Sequence, residues 1–239
     1  MLGLLEGMEE YNNAGALIGF DGMDDPDLLG ALRRMNPLKR QKAINKLTSP
    51  AAPSKGSRAE MEKHFNELPD HIREGLAKGE LRLADFTLYS RKLITSKTIK
   101  MFETQDDKQV AVSNISNAKL PKNQALLVSG IFLLAGVAAD QSKDRIMSAA
   151  LNTIGSFPSI LSGEFSLKAN KKQIVPDTSC NVFNTLGFST VPMGFYKLNN
   201  PRIIADDLLI ECTIELGTMT DIPANTFLMV GLHGTVTTP

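Results

Sequence analysis

The residues of this chain whose chemistry could go beyond packing are few: three histidines, two cysteines and some adjacent carboxylates. His64 and His71 stand seven residues apart, but Pro69 lies between them, so one helix face cannot present both. His233 sits beside Gly231 and Gly234 near the end of the chain. No Cys or His spacing follows a zinc pattern. A nucleophile–base pair would need the fold to bring Ser or Cys against His, with His233 and either Cys180 or Cys212 as the candidates. Asp206 and Asp207 are adjacent, and neighbours on a strand point to opposite faces, which makes them a poor acid–base pair. Asp106-Asp107-Lys108 reads as a charged turn, with a calcium loop as the sharper alternative. Phosphate-cradling glycine patterns are absent: Gly130 and Gly136 are followed by no Lys-Ser/Thr and no helix start. Cys180 and Cys212 leave a disulfide and two reduced buried thiols both open. The expectation is a protein that is not an enzyme, with no cofactor, no metal and no small-molecule substrate.

Charge is distributed in blocks. Residues 1–30 carry seven acidic groups and no basic one, and residues 31–58 carry eight basic groups and no acidic one. The zero net charge therefore hides a polarised N-terminal quarter. The basic groups Arg33, Arg34, Lys39, Arg40, Lys42 and Lys46 are the strongest interaction signal. On an amphipathic helix such groups bind phosphates, of nucleic acid or of anionic lipid. No aromatic residue interleaves them, which argues against base stacking. Pairing with the acidic segment 6–27 of the same or a neighbouring subunit is the alternative, and a plain solvated helix is the third. No secretory signal is expected, because Met1-Leu2-Gly3-Leu4-Leu5 lacks a basic flank and is followed by Glu6, Glu9 and Glu10. The longest apolar run, 125–139, is broken by Ser129, Gly130 and Gly136 and falls short of the roughly 20 residues of a membrane span. It reads as a buried strand.

These groups must be positioned by elements that change character along the chain. Asp25-Pro26 favours a helix start, and Leu28, Leu29, Leu32 and Met35 give it an apolar stripe. Asn36-Pro37 stops it and opens a second helix to about Leu47. Two prolines and small polar residues make 48–56 a linker. Ser57 with Glu60 forms a capping box, Pro69 breaks the following helix, Asp70 can cap another, and Gly79 suits its end. The stretch 81–89 is ambiguous between helix and strand. From about Thr95 the period turns towards two, with candidate strands at 98–103, 109–115, 125–136, 163–168, 202–205, 208–216 and 226–236. Alternation is clearest where Ile210, Cys212, Ile214 and Leu216 share one face and Glu211, Thr213 and Glu215 the other. Leu198-Asn199-Asn200-Pro201 reads as a turn, and 140–154 as the one helix of this half. Residues 175–200 read as a long loop carrying Phe183, Phe188, Phe195 and Tyr196, facing a neighbouring subunit or a receptor, or folded back on the body. The organisation is a charged helical arm and linker (1–56), a helical connector (57–95) and a β body (96–239). The fold expected is mainly β: a single jelly-roll β-sandwich preceded by an α-helical N-terminal arm and connector. An immunoglobulin-like sandwich is disfavoured, since no Trp exists to pack on a Cys pair.

With these features the chain resembles, in layout, the jelly-roll capsid and vertex proteins of tailless, membrane-containing bacteriophages. The resemblance rests on the arm and helices ahead of the β body, on the turn and apolar strand over 115–131, and on the closing strand over 227–236. It covers about 97–239 and holds no diagnostic motif. It implies a virion structural protein, a capsid, vertex or minor coat subunit, made in the host cytoplasm. Its partners would be further copies of itself and other virion proteins, with the genome or an inner membrane met through the basic arm. The arm would order on binding them. A carbohydrate- or receptor-binding β module using Phe183, Phe188 and Tyr196 is the alternative from another class.

Overall fold

Proline and glycine set the first boundaries. Helix α1 (Ser57–Lys63) is followed by a 3-10 turn at Phe65–Glu67, and Pro69 then opens helix α2 (Asp70–Lys78). Pro69 itself occupies the cap position, so Asp70 does not cap the helix as expected; it is the first helical residue and pairs with Arg73. Gly79 ends α2 at φ 76°, the left-handed conformation that a residue without Cβ adopts at low cost. The computed structural model that shows this describes residues 57–186 and 191–239, with side chains from residue 60 onward. All of them belong to one compact unit, Lys55–Pro239.

The body is mainly β, in two antiparallel sheets. Sheet A contains β1 (Arg82–Leu93), β9 (Thr226–Thr238), β3 (Leu126–Val137), β7 (Phe195–Ile204) and the two-residue β4 (Asn152–Thr153). Sheet B contains β2 (Thr98–Lys100), β8 (Ile210–Glu215), β5 (Glu164–Ala169) and β6 (Lys172–Ser179). Four pairings run in nested order: β1 with β9, β2 with β8, β3 with β7, and β5 with β6. The chain is thus one long antiparallel ribbon whose bend is the β5–β6 hairpin. Rolling the ribbon brings β9 against β3 and β8 against β5, which adds the remaining ladders.

Alternation builds the core between the sheets. Leu228, Val230, Leu232 and Val236 of β9 and Leu126, Val128, Ile131, Leu133 and Ala135 of β3 face Phe165 and Leu167 of β5 and Ile210, Cys212 and Ile214 of β8. The change of parity between Val128 and Ile131 coincides with a bulge at Ser129. Cys180 and Cys212 are both buried free thiols, which answers the open question of a disulfide. Burial, with a small addition from Glu164, pushes the Cys180 thiol up to about 12, and burial pushes Cys212 higher still.

Several expected elements differ. The ambiguous stretch 81–89 is strand, because β1 is half-buried on both faces, with Ala84, Phe86 and Leu88 towards the core and Leu81 and Leu83 towards the helices. The expected strand at 109–115 is a turn held by Gln109 N–H to Ser113 O (2.8 Å), with Ala111 at φ 65° and only isolated bridges to neighbouring residues. The expected turn at Leu198-Asn199-Asn200-Pro201 lies within β7: Arg202 pairs with Val128 and Lys197 with Gly130, so four residues bulge opposite one. The expected helix over 140–154 shrinks to α3 (Lys143–Ser148), since the chain turns extended at Ala149 and pairs at β4. The long loop 175–200 is largely regular structure: β6, a 3-10 turn at Cys180–Phe183, and β7 leave only 184–194 between them. No described helix is long and apolar enough to cross a membrane.

Candidate functional site

The two outer faces of the sandwich differ in kind. Sheet B presents a polar surface, with Glu211, Thr213 and Glu215 of β8 opposite Lys168, Ser166 and Glu164 of β5. Lys168 and Glu211 are directly opposed opposite charges, whereas Glu164 and Glu215 are opposed like charges. The outer face of sheet A is mixed: Asp85, Thr87 and Arg91 of β1 and Lys197 of β7 stand on it beside its apolar groups. At one end α1 and α2 cover it: Met61, Leu68 and Ile72 pack on Leu81, Ala125 and Leu127. α2 is also fastened by Asp206, whose Oδ2 lies 3.0 Å from His71 Nε2 and accepts the Asn123 N–H at 2.8 Å. At the other end α3 brings Ile146 onto Phe227 and Ala138.

Between these covered ends runs an aromatic strip. Phe195, at the start of β7, lies over Gly130: a Cβ there would sit 2.2 Å from the ring. Phe132 of β3 pairs across the ladder with Phe195 and with Gly231, and the two phenyl rings lie 4.7 Å apart. His233 stands edge-on to both, at 6.0 and 6.2 Å, and its Nδ1 is 2.9 Å from Thr87 Oγ1. The three rings are half-buried. Gly130 makes room for the Phe195 ring, which covers backbone that would otherwise be bare, and Gly231 leaves space for the Thr87 methyl group, 3.1 Å from where a Cβ would sit. The strip is thus a partly covered aromatic cluster on the outer face of the sheet, with the polar edge of His233 turned to Thr87. His233 has no cysteine within its reach, because Cys180 and Cys212 lie on the far side of the sheet, inside the core. Among the described residues no group of three or more His, Cys, Asp or Glu could hold a metal ion.

The four aromatic residues read from the sequence as one loop therefore part company. Phe183 is a core residue, 1% exposed, edge-on to Phe165 at 5.1 Å and to Tyr196 at 5.7 Å. Tyr196 packs against the same core from β7. Burial removes Phe183 from a receptor or subunit contact, whereas Tyr196 is half-buried. Phe195 points the other way, as a strand requires of neighbours, and joins the strip. Phe188 lies outside the described residues, as do the basic groups Arg33, Arg34, Lys39, Arg40, Lys42 and Lys46. Phe132 and His233 escaped the sequence reading as contact residues. The available signal was a Gly beside each: Gly130 before Phe132, and Gly231 and Gly234 around His233. Comparison with protein-family models, with curated proteins and with solved structures finds no match.

Proposed function

We propose that this chain is a virion structural protein, a coat, vertex or minor capsid subunit, whose body is a single jelly roll and whose role is assembly. The rolled-ribbon order supports the jelly-roll reading: eight strands without β4 run 1-9-3-7 in one sheet and 2-8-5-6 in the other, with the chain crossing between sheets at nearly every step. The observation that carries the assembly reading is the asymmetry of the outer faces. One is polar, and the other bears the Phe132–Phe195–His233 strip between its helix-covered ends. A subunit that must meet neighbours on one side and solvent on the other has this polarity. Residues 1–56 act as an arm, with Arg33, Arg34, Lys39, Arg40, Lys42 and Lys46 making the electrostatic contact to an adjacent subunit's acidic segment, the genome or an inner membrane. No reaction is assigned to the body.

The test is particle size by light scattering on the full chain and on a chain lacking 1–56, across a salt series. Assemblies that require the arm and shrink as salt rises support the proposal. A truncated chain that assembles as the full one does would sink the role of the arm. A carbohydrate- or receptor-binding β module remains the second reading; with Phe183 in the core it has Phe188, Phe195 and the half-buried Tyr196 left to work with.

A further inference from the structure

The connection from β2 to β3, residues 101–125, is long for a stretch with no regular strand or helix, and such connections carry function more often than not. This one is held rigidly. Tyr89 Oη accepts the Ala111 N–H at 3.1 Å. The Asn114 side chain accepts the Tyr89 N–H and donates to Thr87 O, both at 2.8 Å, and Ser116 Oγ accepts the Lys108 N–H at 2.8 Å. Asp106 accepts the Glu103 N–H and, with Glu103, grips Lys92 at 2.8 and 2.7 Å. Ala111, Asn117 and Ala118 all sit at positive φ, between 53° and 65°, in a conformation that costs free energy and is kept only where the surroundings impose it.

This loop forms one wall of a cleft of about 620 Å³. The other walls are residues 90–93 of β1 and residues 141–146, which include the start of α3. The volume falls in the range of small-ligand sites, and the cleft is open, with Gln105, Asp107, Lys108, Gln141 and Lys143 exposed along it. Four polar side chains line it without a hydrogen bond or ion pair to any described residue: Gln105, Asp107, Lys108 and Gln141. Gln109 uses its oxygen on Lys143 (3.0 Å) and keeps its amide N–H groups free. Lys92 is answered by Asp106 and Glu103, and Arg91 by the carbonyls of Ile146 and Met147 at 3.2 Å. Carbonyls leave the Arg91 charge in place, so four cations, Arg91, Lys92, Lys108 and Lys143, stand against three carboxylates, Glu103, Asp106 and Asp107, and one cation is in surplus. Val112, Leu93 and Ile146 supply its apolar ground.

We infer that this cleft binds an acidic saccharide. The carboxylate meets Lys108 and Lys143, the hydroxyls meet the amides of Gln105, Gln109 and Gln141, and the C–H face of the ring lies on Val112 and Ile146. Side-chain amides offer a donor and an acceptor side by side, which is what vicinal hydroxyls require. A single surplus cation matches a single carboxylate, and the ion pair adds a charge-assisted hydrogen bond. The rigid loop lowers the cost of ordering the site. The inference does not rest on assembly, and its failure would leave the assembly reading untouched.

The experiment is titration calorimetry of the full chain with D-glucuronate, D-glucose and acetate. Saturable binding of glucuronate is expected, with glucose and acetate each at least about tenfold weaker, since one lacks the charge and the other the hydroxyls. Lys108→Ala and Gln141→Ala should each weaken glucuronate at least about fivefold while the thermal melt stays unchanged. Gln105→Glu, which leaves no void, should weaken it by placing a second carboxylate beside the first. Lys197→Ala, on β7 and outside the cleft, should change nothing. Three results would each overturn the assignment: no saturable binding of glucuronate, acetate binding as tightly as glucuronate, or Lys108 and Gln141 variants that bind as the parent does.

Discussion

Gly130 and Gly136 both lie under aromatic rings on β3, yet a methyl group at each meets a different obstacle. At Gly130 it meets the outer end of the half-buried Phe195 ring, 2.2 Å away, and that ring can swing towards solvent. At Gly136 it meets the Ala150 carbonyl oxygen and the Phe227 ring, both at 2.5 Å, and Phe227 is fully buried. Gly136→Ala should therefore cost about 2–3 kcal/mol in chemical denaturation and Gly130→Ala about 1 kcal/mol or less. Equal costs would mean that Phe195 is as immovable as backbone. Lys92 gives a pH prediction. Burial opposes its charge, but hydrogen bonds and charge from Asp106 and Glu103 outweigh this and raise it above the ordinary 10.5. A raised folded-state value means the pair stabilises fully below 10.5 and loses that contribution as pH climbs through the folded value above it. The stability gap between the parent and Lys92→Met should stay level from about pH 7 to 10 and close at higher pH; a gap that closes below pH 9 would contradict the assignment. The buried thiols give a third. Cys180 and Cys212 should resist a thiol reagent in the native state at pH 8 and both react in denaturant, with no disulfide to reduce. Rapid labelling of either in the native state would place it outside the core.

Among the elements, legibility followed the number of faces buried. β8 and β5 bury one face and expose the other, so the alternation of Ile210, Cys212 and Ile214 with Glu211, Thr213 and Glu215 could be read directly. β3 and β9 are buried almost throughout and read as apolar runs with glycines. β1 has apolar residues on both faces, one under the core and one under α1 and α2, and its period dissolves. Residues 175–179 of β6 look like loop in the sequence because an exposed edge strand carries Pro176 and Asp177 without cost to a neighbour. Asn199, Asn200 and Pro201 are turn residues, and they do make the chain bulge, but pairing resumes at Arg202 without leaving the strand. The aromatic strip is not legible in the sequence because it assembles from β1, β3, β7 and β9, whose adjacency follows from the ribbon's roll rather than from any local pattern. At this scale the clasp on α2 is testable. Asp206→Ala removes the acceptor for both His71 and the Asn123 N–H and should cost about 1–2 kcal/mol, with faster amide exchange in Asp70–Lys78. Unchanged exchange in that helix would show that the apolar contacts of Ile72 alone hold it.

For the whole molecule, the rolled ribbon gives a body with one polar outer face and one that carries an aromatic strip, and the sequence of 1–58 carries its charge in an acidic and then a basic block. The proposal that the chain is a coat subunit joins these two properties, and both are needed. The most direct measurement is the mass distribution by light scattering of the full chain beside a Phe132→Ser, Phe195→Ser double variant of equal thermal stability. Closed assemblies of uniform mass, many times that of one chain, are expected for the parent, with collapse to small species in the variant. A parent that stays monomeric, or a variant that assembles just as well, would contradict assembly through this face.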